Sequence, residues 1–241
     1  GVEVFQTLKT ILADRGFLTL VGGEGGFAPT LSDNERALQM IVIAIREAGF
    51  KPGKDVALAS DLATSEFFEE GKGYDFDFKI PGKKGKHWKS ADDVVKMLQH
   101  WIKEYHVISV EDPLHEEQWQ DWQKLTTALG KKTQIVGDDL FVTNAKRLKK
   151  GIDMGVANAI LIKVNQIGTL TETMDAITLA RKAGYNVIIS HRSGETGDTT
   201  IADLAVAVNA EFIKTGSLSR SERVEKYNRL MAIELELKKQ W

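Results

Sequence analysis

Cysteine is absent from the 241 residues, so there can be no disulfides and no thiolate metal ligands. Any bound metal must be held by oxygen or imidazole. Histidine is scarce as well, with five copies, which tilts that choice towards carboxylate oxygen. No apolar run approaches the roughly 18 residues that cross a bilayer, and the first residues lack a basic segment followed by an apolar one. The expectation is a soluble, cytoplasmic chain without a membrane span. A dominant sign of charge is lacking too: 32 Lys and Arg against 34 Asp and Glu leave a formal net charge of -2. With both signs mixed along the chain there is no extended basic face for nucleic acid. The short basic cluster from Lys83 to Lys89 reads as a solvated loop.

What is present is 42% hydrophobic and 27% charged residues, enough apolar matter for a substantial core. Val4, Phe5, Leu8, Ile11 and Leu12 fall on a helical period stopped by Gly16, which predicts an amphipathic helix over 2–15. The stretch from Gly22 to Pro29 has too many glycines, and a proline, for a regular element; it should be an irregular loop. A unit then recurs six times: a short apolar run rich in β-branched residues, a polar residue at its end, and an amphipathic helix. The runs are Val56–Ser60, Val107–Val110, Gln134–Val136, Ala159–Ile162, Asn186–Ile189 and Phe212–Ile213. Helices between them include Ser90–Tyr105, capped by Ser90, Gln118–Leu129, ended by Gly130, and Thr169–Ala183, ended by Gly184. Trp88, Trp101, Trp119 and Trp122 should pack helix faces, and the charged run from Arg220 reads as an outer helix.

Apolar strands alternating with helices signal a parallel sheet covered on both faces. An open doubly wound sheet and a closed barrel both satisfy that pattern, and the strand ends favour the barrel. Asp61, Glu111, Asp138, Lys163, His191 and Lys214 follow the six runs in order. An open sheet concentrates its polar site at one switch point, whereas a barrel gathers every strand end around one mouth. The fold class is therefore α/β, a (β/α) barrel of the TIM type with six βα units in this chain.

Asp61, Glu111 and Asp138 are hard oxygen ligands on three different strands, and they favour Mg²⁺ over zinc. Each alone would pass for a loop acid, but a carboxylate directly after an apolar strand needs a counter-charge, which a divalent cation supplies. Strand alternation points Asp112 and Asp139 away from the mouth, which suits them to holding their neighbours in place. Lys163 sits within Ile160-Leu161-Ile162-Lys163-Val164. Desolvation there would lower its pKa towards that of a usable base, or it is ion-paired to a strand-end acid. Glu24 lies in the glycine-rich loop, where the backbone can bring a carboxyl group close to a ligand. The run Ser190 to Thr196 offers a guanidinium, hydroxyls and a glycine just past a strand, a composition suited to a phosphate. His191 taken alone is more often structural. Lys214 adds a second cation at the same mouth, so an anionic substrate between metal and cationic side chains is expected.

Several of these segments together resemble the enolases over nearly the whole chain. They are Gly22 to Pro29, Ser65-Glu66-Phe67-Phe68, Val110-Glu111-Asp112-Pro113, Val136-Gly137-Asp138-Asp139-Leu140, Leu161 to Gly168, Ser190 to Thr196, and Ile213-Lys214-Thr215-Gly216. The resemblance implies an incomplete C-terminal catalytic barrel domain over 1–241 and a lyase interconverting 2-phosphoglycerate and phosphoenolpyruvate plus water in glycolysis. By the same resemblance Asp61, Glu111 and Asp138 match the Mg²⁺ carboxylates, Lys163 the base at carbon 2, and Glu24 the acid at the carbon 3 hydroxyl. Arg192 and Ser193 match the phosphate-binding pair, Lys214 a substrate-binding lysine, and His191 a histidine beside the substrate. A lysine base working with magnesium is the general chemistry of that superfamily.

Two departures accompany the resemblance. Gly23 stands where the family has an aspartate before the acid. The family's N-terminal domain and first two barrel strands would precede Gly1, and six strands cannot close an eight-stranded barrel. A homo-oligomer or a complementing N-terminal portion is therefore expected as partner. Two other readings share the residues: a catalytically impaired enolase-like binding or assembly module, and a different lyase or isomerase of the superfamily.

Overall fold

A computed structural model describes residues 1–239; the last two residues of the domain expected over 1–241 lie outside the described residues. The chain opens with α1 (Val2–Asp14), whose apolar period buries Ile11 and Leu12, against α2 (Glu35–Glu47), which buries Leu38, Met40, Val42, Ala44 and Ile45. Strand β1 (Leu58–Asp61) follows, then a short 3-10 helix (Thr64–Phe67) and an antiparallel hairpin of β2 (Phe68–Glu69) and β3 (Gly73–Tyr74). Next come α3 (Ala91–Tyr105), β4 (Val107–Glu111), α4 (Trp119–Leu129), β5 (Gln134–Gly137) and α5 (Ala145–Met154). The remainder is β6 (Ala159–Ile162), the single turn α6 (Val164–Ile167), α7 (Leu170–Lys182), β7 (Asn186–Ser190), α8 (Thr200–Ala207), β8 (Phe212–Lys214) and α9 (Ser221–Lys238).

Local chemistry starts these helices where the sequence marks them. Ser90 accepts from the Asp93 amide while Asp93 accepts from the Ser90 amide, a reciprocal capping box that satisfies two otherwise orphaned donors. Asn144 and Thr169 cap α5 and α7 through their side-chain oxygens.

All six expected strands form one parallel sheet, ordered β1-β4-β5-β6-β7-β8. Asp61, Glu111 and Lys214 belong to their strands rather than following them, because pairing continues through Asp61 opposite Glu111 and Ser190 opposite Lys214. The sheet is curled into an incomplete barrel: a side chain on the last strand reaches one on the first, as Lys214 does with Asp61. Among the described residues, strands β1 and β8 each pair on one side only.

Period-two alternation sorts the strand residues into two faces. Ile135, Ile160, Ile162, Val187 and Ile189 join the large core under the helices, while Val136, Ala159, Leu161 and Ile188 form a separate cluster inside the curl. Below that inner cluster Gln134 bonds to Ser109 and Asn186. Above it the next inward positions are Asp61, Glu111, Asp138, Lys163 and Lys214. Polar base, apolar middle and charged top follow from one strand period.

Two expectations about packing need correction. Trp101, Trp119 and Trp122 are buried on α3 and α4, but Trp88 lies outside any helix. It precedes the Ser90 cap, donates from its indole to the Gly85 carbonyl at 3.1 Å, and lies under the Lys72 ammonium. The run from Arg220 does form a helix, α9, but not a purely outer one. Arg223 and Lys226 are 1% and 0% exposed, because loops at the strand ends offer their cations carbonyl oxygens.

Candidate functional site

The charged top layer is a set of short-range ion pairs. Lys214 Nζ lies 2.8 Å from Asp61 Oδ2 and 2.7 Å from Glu111 Oε1, so one ammonium spans the first, second and last strands of the sheet. Lys163 pairs with Asp138. Of the two alternatives for Lys163, the structure shows the ion pair. Its backbone is pinned as well: the Lys163 amide donates to Thr143 Oγ1 at 2.9 Å, and that hydroxyl donates to Gln166 at 2.9 Å. Gln166 in turn donates to Asp138 at 3.4 Å.

Glu111, Asp112 and Asp138 are all buried and bring carboxylate oxygens within 4.8 Å of one another. Asp61 lies outside that group and is tied to it through Lys214. Asp112 has the holding role expected of it, accepting the amides of Asp138 at 3.1 Å and Asp139 at 2.8 Å. Its backbone also turns left-handed, at φ 40°, which ends the alternation and lets the carboxylate join the cluster.

Crowding of acids in a dry place shows in their proton affinities. Burial and then the Asp61 charge push Glu111 up to about 8, against the pull of Lys214. Burial also raises Asp112 well above an ordinary aspartate, and Asp139 is raised by burial and the Asp138 charge. Burial works against the Lys214 ammonium, but the Glu111 and Asp61 charges outweigh it and hold the group above an ordinary lysine. This all-oxygen set, short of positive charge, fits a hard divalent cation.

A second group faces the same mouth from the loops. A cavity of about 320 Å³ is lined by Glu24, His191, Lys214, Thr215 and Tyr227, among others. Glu24 is an exposed side chain with Oε2 at 3.5 Å from His191 Nε2. The glycine-rich loop that carries it is irregular, as expected. A Cβ at Gly25, where φ is +82°, would collide with the Ser219 carbonyl, and Ser219 Oγ donates to the Gly25 carbonyl at 2.7 Å. In the 190–196 run, Arg192 Nη1 donates to Asn165 Oδ1 at 2.7 Å. Ser193 is exposed.

Sequence reasoning missed the residues that hold these loops. Arg223 donates to the carbonyls of Gly23 at 3.0 Å, Arg192 at 2.7 Å and Ser193 at 2.8 Å. Lys226 donates to the Thr196 carbonyl and lies 3.7 Å from Glu195 Oε1. Glu195 accepts the Arg192 amide at 3.1 Å. The overlooked signal was a stripe at helical spacing, Arg223, Lys226, Leu230 and Ile233, in which cations occupy the apolar face.

The strand-end carboxylates and lysines, the glycine-rich loop and the 190–196 run thus share one end of a curled parallel sheet. A family model described as the enolase C-terminal TIM barrel domain matches residues 1–241. The match spans the whole chain, and its fold description agrees with the sheet found here: the chain belongs to the enolase family, as its C-terminal barrel domain.

Proposed function

We propose that this chain is the catalytic barrel portion of a phosphopyruvate hydratase, a cytoplasmic glycolytic lyase that removes water from 2-phosphoglycerate. The observation that carries the reading is the convergence of Asp61, Glu111, Asp138, Lys163 and Lys214 from separate strands on one mouth. Asp61, Glu111 and Asp138 would hold Mg²⁺, which when bound supplies fixed positive charge against the negative charge that develops on the substrate carboxylate. Lys163 takes the carbon 2 proton. Glu24 gives a proton to the carbon 3 hydroxyl, which leaves as water as the carbon 2–carbon 3 double bond forms. Arg192 and Ser193 bind the phosphate, while Lys214 and His191 orient the substrate between them. Cation binding at Asp138 would leave the Lys163 amine without its present carboxylate partner, which suits it to a base role.

The direct test is absorbance of phosphoenolpyruvate formed from 2-phosphoglycerate and Mg²⁺, by the chain alone and with an enolase N-terminal portion added. Turnover that disappears in Lys163→Ala, together with carbon 2 proton exchange, supports the assignment; exchange preserved in that variant removes Lys163 as base. One observation favours a second reading. Among the described residues strands β1 and β8 each carry an unpaired edge, which suits a module that assembles with further strands before it acts, or that serves only in assembly. A folded chain inert under both conditions would select that reading.

A further inference from the structure

Arg223 and His191 meet head-on, and their chemistry leaves one arrangement of protons. A guanidinium has donors and no acceptor. Arg223 Nη1 lies 2.7 Å from His191 Nδ1, so Nδ1 accepts, and a neutral imidazole must then carry its hydrogen on Nε2. That nitrogen is the one facing Glu24. Arg223 is buried, and His191 is only 3% exposed, so water hardly competes for either group. An imidazolium would aim a second N–H at the guanidinium and set two like charges against each other in a dry site. His191 is accordingly held below the usual histidine range, first by burial and also by the Arg223 charge, with Glu24 opposing.

We propose that Arg223 is a positioning residue for the mouth: its guanidinium fixes His191 as the neutral Nε2–H tautomer. His191 then offers a hydrogen-bond donor, not a lone pair, to the cavity it shares with Glu24 and Lys214. The other donors of the same group serve carbonyls in the 22–29 and 190–196 loops. One planar fork reaches all four acceptors, which the single nitrogen of a lysine cannot do. Its stem is seated where residue 216 has no side chain, since a Cβ on Gly216 would lie 2.6 Å from Arg223 Cδ. The arrangement persists although the buried Arg223 Nε has no hydrogen-bond partner among the described residues. What His191 donates to during turnover rests on the reading above; where its proton sits does not.

The test is nuclear magnetic resonance of the 241-residue chain labelled with ¹⁵N-histidine and ¹⁵N-arginine. With five histidines, a His191→Gln variant identifies the resonance. At neutral pH His191 should show the ¹⁵N pattern of the Nε2–H tautomer, with a ¹⁵N–¹⁵N coupling across the hydrogen bond to an Arg223 Nη. In Arg223→Met the coupling is lost, His191 becomes a tautomer mixture, and its titration midpoint moves up. Glu24 and Lys214 face the ring in both proteins, so the difference reports Arg223. A wild-type proton on Nδ1, or an Arg223→Met protein that keeps the wild-type tautomer and midpoint, overturns the proposal. Should Arg223→Met fail to fold, the wild-type coupling decides alone: its presence supports the assignment and its absence refutes it. Loss of the enzymatic reading with the coupling intact would leave this assignment standing.

Discussion

Replacing Lys214 with methionine removes the ammonium and keeps most of its stem, so the change isolates charge. In the native protein that ammonium separates two carboxylates, at 2.8 Å from Asp61 and 2.7 Å from Glu111. Losing one partner of a fully buried pair costs about 3–5 kcal/mol, and an exposed pair is worth about 0–1 kcal/mol. The Glu111 side chain is 8% exposed, but Asp61 is 38% and Lys214 30% exposed, which places the loss between those limits, at about 2 kcal/mol. For a chain of this length that lowers the thermal midpoint by about 4–8 °C. Urea denaturation followed by tryptophan fluorescence, in chelator and above pH 8, where Glu111 is ionised, measures it. On the proposed Mg²⁺ site, the variant should gain more stability from added Mg²⁺ than wild type does, because a cation there would no longer contend with the ammonium for the same oxygens. Tenfold tighter binding at saturation is worth about 1.4 kcal/mol of extra stabilisation. A metal-free variant as stable as wild type, or one that gains no more from Mg²⁺ than wild type does, refutes the reasoning.

The remaining predictions follow from single contacts. Asp112→Ala strips the acceptor from two backbone amides at the end of β5 and should cost about 3 kcal/mol in urea denaturation; a loss under about 1 kcal/mol would show that those amides find other partners. Gly25→Ala combines a positive φ with a collision at the Ser219 carbonyl and should cost about 1–3 kcal/mol, with faster proteolytic cleavage in the 22–29 loop. Cleavage at the wild-type rate would contradict it. Glu111 binds its proton more tightly in the folded chain, so the stability it contributes is complete below its unfolded pKa of about 4.5 and is lost as pH rises towards about 8. Metal-free stability should therefore fall across that window and flatten in Glu111→Gln; a flat wild-type profile would contradict it.

The six strands were legible because short β-branched runs between capped helices admit few other forms, and the acids at their ends stood out against that apolar background. Helix α2 was legible but passed over: Leu38, Ile41, Val42 and Ile45 recur at helical spacing. Helix α8, eight residues long and mostly apolar, hides because apolar residues surround so much of its axis that the 3.6-residue period blurs. Lys163 supported two readings, and only coordinates show that Asp138 is its partner. Arg223 and Lys226 were invisible because a run of charges ordinarily marks a solvated face. Their burial depends on carbonyls brought in from loops some 200 residues and 30 residues away in the chain, which no local pattern encodes. Trp88 failed in the opposite sense: an aromatic ring near a helix suggested packing, while a turn carbonyl and a lysine hold it instead.

Lys214 stands on one rim of an incomplete cylinder and Asp61 on the other, 153 positions apart. Flattening the curl would pull the ammonium off one of its two carboxylates, and tightening it would press all three charges together. Backbone curvature and local electric field at the mouth are thus a single mechanical variable, and whatever sets the gap between the rims also sets the charge a ligand meets on arrival.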